Sequence, residues 1–196
     1  MGALMGAMVA MSLTAAGAAE VGKEAPAFSL KNTKGATVSL ADYKGKVVVL
    51  EWINYDCPFV KKHYASGNMA KLQEKYADQG VVWLSVSSAA PGKQGNMPAA
   101  DLQARAEKDG SKASAILLDE DGKVGKAYGA TNTPHMFVIN KQGVLAYSGA
   151  IDDKPTTEQA DVAGASNFVA AALDAVLAGK DVEKPKTKAY GCDVKY

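Results

Sequence analysis

Arginine is almost missing from this chain. Arg105 is the single one among 196 residues, and the lysines are scattered rather than gathered into a stripe. With a formal net charge of +1, nothing here resembles the basic footprint that binds nucleic acid or an acidic polymer. Cysteine is equally sparse. Two of them, Cys57 and Cys192, are too few for a disulfide-stapled scaffold, and the position that would complete a Cys-x-x-Cys after Cys57 is Val60. Histidine is limited to His63 and His135. The segment MGALMGAMVAMSLTAAGAA, residues 1–19, has no charged side chain at all.

That last absence has a use. An apolar stretch ending in alanines and a glycine fits the hydrophobic region and cleavage site of a secretory signal. Gly2, Gly6 and Gly17 make it a poor spanning helix, which leaves a membrane anchor as the lesser reading. Residues 1–19 are therefore expected to be a signal peptide, with a mature chain beginning near Ala19 or Glu20 and exported, to the periplasm, where cysteines can oxidise.

What remains is a soluble globular composition, 47% hydrophobic and 22% charged, sufficient for one domain. Short strands are expected at Phe28–Leu30 and Thr37–Leu40, and a continuous β-branched run at Lys46–Trp52 reads as a strand covered on both faces. A helix should open at Pro58, where the missing N–H costs nothing, kink at Ser66-Gly67-Asn68 and stop at Gly80. Val81–Val86 is the next strand. A helix from Pro98 to Lys108, a strand at Ala115–Leu118 and a short helix at Val124–Tyr128 follow. Met136–Asn140 and Val144–Tyr147, joined at Gln142-Gly143, read as a hairpin, and Ser166 as the cap of a last helix ending at Gly179. The alternation predicts an α/β domain with a mixed sheet over residues 20–179, followed by a surface tail, 180–196.

The strand ending in WINYDC, the helix opening at Pro58, and TNTPHMFVI ahead of a hairpin resemble the thioredoxin superfamily. With the lead-in GKEAPAFSLKNTKGATVSLADYKGKVVVL and GAIDD after the hairpin, they are similar to its redoxin, or peroxiredoxin-like, branch. The resemblance covers residues 21–178. It implies a thioredoxin-like fold with a mixed central sheet flanked by helices, and a cis Pro134 facing Cys57. It also implies a substrate segment lying along Thr133, with Pro58 and Phe59 beside it, and Glu51 as a buried acid able to relay a proton.

The residues themselves support a reactive Cys57. A sulfur at a helix N-terminus meets unpaired N–H groups and the positive end of the helix dipole, which favour the nucleophilic thiolate. Lys61, Lys62 and the two histidines are candidate modulators of its pKa. Cys192, in AYGCDVKY, is the one thiol in the chain that can resolve a mixed disulfide; a static structural bridge and an idle thiol are the rival readings for it. Thiol–disulfide exchange is therefore expected, with protein thiols or disulfides as partners, an unidentified electron donor, and no cofactor or metal. Peroxide reduction comes second, because the offsets at which peroxiredoxins carry threonine and proline hold Asn54 and Leu50, and Arg105 lies in a polar helix. Binding of Cu(I) by Cys57, Cys192, His63 and His135 is the third reading.

Overall fold

The computed structural model describes residues 18–196, so the expected signal segment falls almost wholly outside the described residues. A seven-stranded mixed sheet runs in the order β2-β1-β5-β4-β3-β7-β8. Its strands are β1 (Ser29–Asn32), β2 (Thr37–Ser39), β3 (Val48–Trp52), β4 (Val82–Ser87), β5 (Ala115–Leu118), β7 (His135–Ile139) and β8 (Leu145–Gly149). Central strands β3, β4 and β5 are parallel, while β7 returns antiparallel to β3 and carries the β8 hairpin on the sheet's edge. A separate two-stranded ribbon joins β6 (Asn132–Thr133) to β9 (Cys192–Asp193).

Alternation along β3 assigns its side chains to two cores. Val49 points into one, shared with α1 (Pro58–Ala65), α2 (Asn68–Ala77), α3 (Ala99–Lys108) and α5 (Phe168–Leu177). Val48, Leu50 and Trp52 point into the other, closed by Phe28, Val38 and Tyr128 of α4 (Lys123–Tyr128). Every residue of β3, β4 and β7 is buried, which is why VVVL reads as a continuous apolar run instead of an alternating one.

The expected kink between α1 and α2 is a full break. Gly67 takes φ 72°, a conformation that side-chain-bearing residues rarely hold, and the two helices are separate elements. The cap of α5 is Asn167, not Ser166: its side chain accepts from the Ala170 N–H at 2.8 Å. β1 begins one residue late, and a 3-10 turn at Leu40–Tyr43 follows the shorter β2.

The larger departure concerns the tail. It lies on the surface as expected, yet it is not a free extension: residues 185–196 are bonded to the domain along their length. Ser148 donates to the Pro185 carbonyl at 3.1 Å and Thr187 returns a bond to Ser148 at 3.1 Å. Val194 donates to Thr131 at 3.0 Å, Ala90 to the Lys195 carbonyl at 2.8 Å, and the Tyr196 hydroxyl to Ala130 at 2.7 Å. Among the described residues, no helix is long and apolar enough to cross a membrane.

Candidate active site

Where β3 leaves the sheet, Asn54 turns the chain: its carbonyl accepts from the Cys57 N–H at 2.9 Å and its side-chain oxygen from the Asp56 N–H at 2.9 Å. Cys57 becomes the N-cap of α1 with Pro58 at the first helical position, as the local sequence implies. Arg105, expected to have no inward role, reaches this loop. Its guanidinium donates to the Tyr55 carbonyl at 2.8 Å, to Asp56 at 3.1 Å and to Asp109 at 2.8 Å. Those partners consume the cation in fixing the loop.

The Thr133–Pro134 bond is cis and both residues are buried. In the protonated state the Cys57 thiol donates to the Thr133 carbonyl at 3.1 Å. Cys192 is the register partner of Thr133 in the β6–β9 ribbon, and Thr133 Oγ1 donates to the Cys192 carbonyl at 3.4 Å. The two sulfurs are neighbours, and both are free thiols. Pro58 is exposed beside the sulfur and Phe59 is half-buried, its ring 5.8 Å from that of Tyr190.

Burial alone would push the Cys57 thiol up. Hydrogen bonds from the Cys192 thiol, from backbone groups at Val60 and Cys192 and from Thr133 outweigh it, so its pKa lies below the usual thiol value. Cys192 moves the opposite way, raised by burial, by its bond to Cys57 and by repulsion from the Cys57 thiolate. Cys57 therefore gives up its proton first, while Cys192 keeps one and donates it to its neighbour.

Neither histidine is the modulator that proximity in sequence suggested. His63 Nδ1 accepts from Asn68 Nδ2 at 2.9 Å, and Nε2 faces the Tyr190 hydroxyl at 3.2 Å and Asp152 at 4.0 Å. His135 Nδ1 accepts from the Thr131 N–H at 3.2 Å, and its ring stacks on Phe137 at 4.4 Å. Burial holds both down to about 4, so at neutral pH they carry no charge to offer a thiolate. Their other commitments also dissolve the proposed copper set: among the described residues no group of three or more His, Cys, Asp or Glu converges on a metal position.

Glu51 is fully buried on the α1–α2 side of β3, and its carboxylate bonds to neither sulfur. Trp83 Nε1 donates to it at 2.8 Å, Tyr64 at 3.0 Å, Ser85 at 3.2 Å and Gln73 at 3.3 Å. Burial raises its carboxyl from 4.5 to about 7, with those donors restraining a larger rise. Such a group changes protonation near neutral pH. Asp152, Tyr190 and Asn68 carry no such role in the sequence pattern alone. The signal available was thin: GAIDD and AYGC flank the region, yet nothing local says that an aromatic in a tail meets a histidine in α1.

Comparison with known proteins is consistent with this architecture. The profile of the AhpC/TSA family matches residues 21–148. Thioredoxin-like protein YneN of Bacillus subtilis is 31% identical over 146 residues, 72% of this chain and 79% of that protein. Thiol-disulfide oxidoreductase ResA of Bacillus thuringiensis is 29% identical over 144 residues, 71% of this chain and 74% of its own. Among solved structures, an uncharacterized conserved protein from Geobacillus kaustophilus superposes with a TM-score of 0.75 at 30% identity, covering 90% of this chain and 92% of that one.

Proposed function

This chain belongs to the AhpC/TSA family, and on that footing we propose that it is a thiol–disulfide oxidoreductase in which Cys57 attacks and Cys192 resolves. The observation that carries the reading is the pairing of two free thiols at the start of α1, beside the cis Thr133–Pro134 bond. The relative ResA, by its name a thiol-disulfide oxidoreductase, supports the same reaction class.

The steps balance without a cofactor. Cys57 thiolate attacks one sulfur of a substrate disulfide; that S–S bond breaks, the second substrate sulfur departs as thiolate and takes up a proton, and a Cys57–substrate mixed disulfide remains. Cys192 then loses its proton and attacks Cys57 Sγ. The Cys57–Cys192 bond forms, the mixed disulfide breaks, and the substrate leaves as a dithiol. Two electrons have passed from the protein to its substrate; run backwards, the protein oxidises a dithiol. A thiol donor returns it to the starting state.

Burial raises the Cys192 pKa most, and the bond to Cys57 and its charge add to the rise; consumption of the Cys57 thiolate removes those two contributions in the mixed disulfide and so helps to ready Cys192. Glu51 is assigned the role of proton carrier for that step, acting through the surrounding hydroxyls or water. Peroxide reduction is not favoured, because Arg105 is engaged with Tyr55, Asp56 and Asp109 instead of facing the thiol. Export through the apolar segment 1–19 would place the reaction in an oxidising compartment with protein disulfides or thiols as substrates.

The test is thiol trapping across a glutathione redox series, read by intact mass, for wild type and Cys192→Ser. The reading expects wild type to switch between two free thiols and none within the physiological range, and the variant to accumulate glutathione on Cys57. A bridge that resists reduction throughout would make the pair structural and remove the reaction.

A further inference from the structure

The tail does more than bring a thiol to Cys57. Tyr190, Gly191 and Cys192 each meet a different feature of the domain, and the features together form a mould. Cys192 is in register with Thr133. Gly191 takes φ 134°, its carbonyl accepts from Asn132 Nδ2 at 3.1 Å, and a Cβ at this position would overlap the Thr133 carbonyl oxygen. The position therefore demands glycine on both backbone and steric grounds.

Tyr190 enters a receptacle made by His63, Asn68 and Asp152. His63 and Asp152 side chains are 0% and 1% exposed. Because Asn68 donates to His63 Nδ1, the neutral imidazole carries its proton on Nε2, the atom 3.2 Å from the Tyr190 oxygen. The Tyr190 hydroxyl in turn donates to Asp152 Oδ1, which also accepts from the Lys154 N–H at 3.0 Å. Asp152 Oδ2 has no hydrogen-bond partner, so the buried carboxylate depends heavily on that phenol. Lys62 Nζ lies 5.9 Å from the Tyr190 ring centroid and Phe59 packs on its edge. Donor, acceptor and ring are all matched, as they are for a ligand that belongs there.

We propose that this mould is the slot in which the enzyme reads its protein substrate, and that the tail is its resident occupant. The preferred partner is an extended, cysteine-bearing segment with glycine before the cysteine and tyrosine before the glycine, and it reaches Cys57 by displacing residues 190–193. The inference rests on Cys57 being the attacking thiol. One slot cannot hold two strands against Thr133, so tail and substrate exclude each other. Resolution is then the return of the tail: Cys192 regains its register as the substrate strand departs.

The experiment uses the full chain carrying Cys192→Ser, in which a mixed disulfide on Cys57 persists. The probe is the peptide Ala-Tyr-Gly-Cys-Asp-Val-Lys with its cysteine activated as a thionitrobenzoate disulfide. Cys57 thiolate bonds to the peptide sulfur, the activating S–S bond breaks, and the coloured thionitrobenzoate anion leaves with the electron pair and is counted. Peptides with phenylalanine for the tyrosine, or valine for the glycine, are compared.

The parent peptide should react roughly tenfold faster than either, the scale of one hydrogen bond to a charged group. Adding Tyr190→Phe to the protein, which removes the tail's own hold on Asp152, should accelerate the parent peptide several-fold. Gly191→Ala, which loosens the tail sterically and leaves the receptacle intact, should do the same, with thermal unfolding verifying that both variants are folded. Equal rates for the three peptides, together with no acceleration in either tail variant, would overturn the slot while leaving Cys57 a nucleophile. Failure of Cys57 to react even with a small aromatic disulfide would instead remove the reading beneath it.

Discussion

Replacing Glu51 by glutamine tests the buried carboxyl on which the proton-carrying role depends. The group moves from its ordinary 4.5 to about 7 because burial penalises its charge. A rise of that size corresponds to about 3 kcal/mol of difference between the two protonation states. Its sign follows from linkage. Between pH 4.5 and 7 the folded protein keeps the proton and the unfolded chain has lost it, so this group's contribution is fully present below 4.5 and is lost as pH rises through 7. Glutamine cannot ionise and should fit: its oxygen can take the place of Oε2, which accepts from Trp83, Ser85 and Gln73, leaving its NH2 facing a Tyr64 hydroxyl free to turn and accept. Urea unfolding of wild type and Glu51→Gln under a phosphine reductant, from about pH 4.5 to 8, gives the stability difference at each pH. The variant should gain on wild type by about 3 kcal/mol across that span. His63 and His135, held down to about 4 by burial, impose their own pH dependence on both proteins, and it cancels in the difference. A difference that stays flat with pH would mean that Glu51 titrates as an ordinary carboxyl, and the proton-carrier role would fall with it.

Two further outcomes follow from the geometry around the thiols. Cys192→Ala removes the S–H that donates to Cys57, so the Cys57 titration, read by ultraviolet thiolate absorbance against pH, should move upward; Cys192→Ser, which keeps a donor, should move it less, and an unchanged midpoint in both would show that Cys192 does not stabilise the thiolate. Arg105→Gln releases the Tyr55 carbonyl and Asp56 from α3 and should cost about 1 kcal/mol in urea unfolding while the thiolate titration stays in place; a displaced titration would mean that Arg105 acts on the sulfur through its charge.

Local chemistry made much of this protein legible. The apolar run of β3, Pro58 at the start of α1 and the interruption at Gly67 are each set by a few neighbouring residues, and each lies where the sequence implies it, although the interruption is a break and not a kink. The failures share a cause, which is dependence on distant partners. Asn167 and Ser166 are both good caps, and only the docking of α5 selects between them. β6 and β9 have two residues each and exist because they pair, so neither carries a periodic pattern of its own. His63 lies six residues beyond Cys57, which on a helix of 3.6 residues per turn rotates it about 240° away from the sulfur. That rotation aims it at Asp152 and the tail. Arg105 reads as surface because α3 is polar, but its length lets the guanidinium reach over to the loop at Tyr55.

The absence of a second cysteine at Val60 changes more than the address of a sulfur. A thiol at position 60 would ride on α1, present whether or not a substrate strand lay against Thr133. Cys192 rides on β9, which fills that place itself. On the proposed reaction, attack and resolution therefore cannot overlap: the tail must leave for Cys57 to be reached and must return for the mixed disulfide to be broken. Electrostatics order the same events. While Cys57 is a thiolate, burial, the bond to Cys57 and its charge together keep the proton on Cys192; once the thiolate is spent in a bond to substrate, the two contributions of Cys57 are gone and burial alone remains. On the same proposal Tyr190 connects the two, since the bond of its hydroxyl to Asp152 would set how readily β9 leaves and how soon it comes back. A segment that fits the slot too well would delay that return, so the best-recognised substrate should also be the one released most slowly.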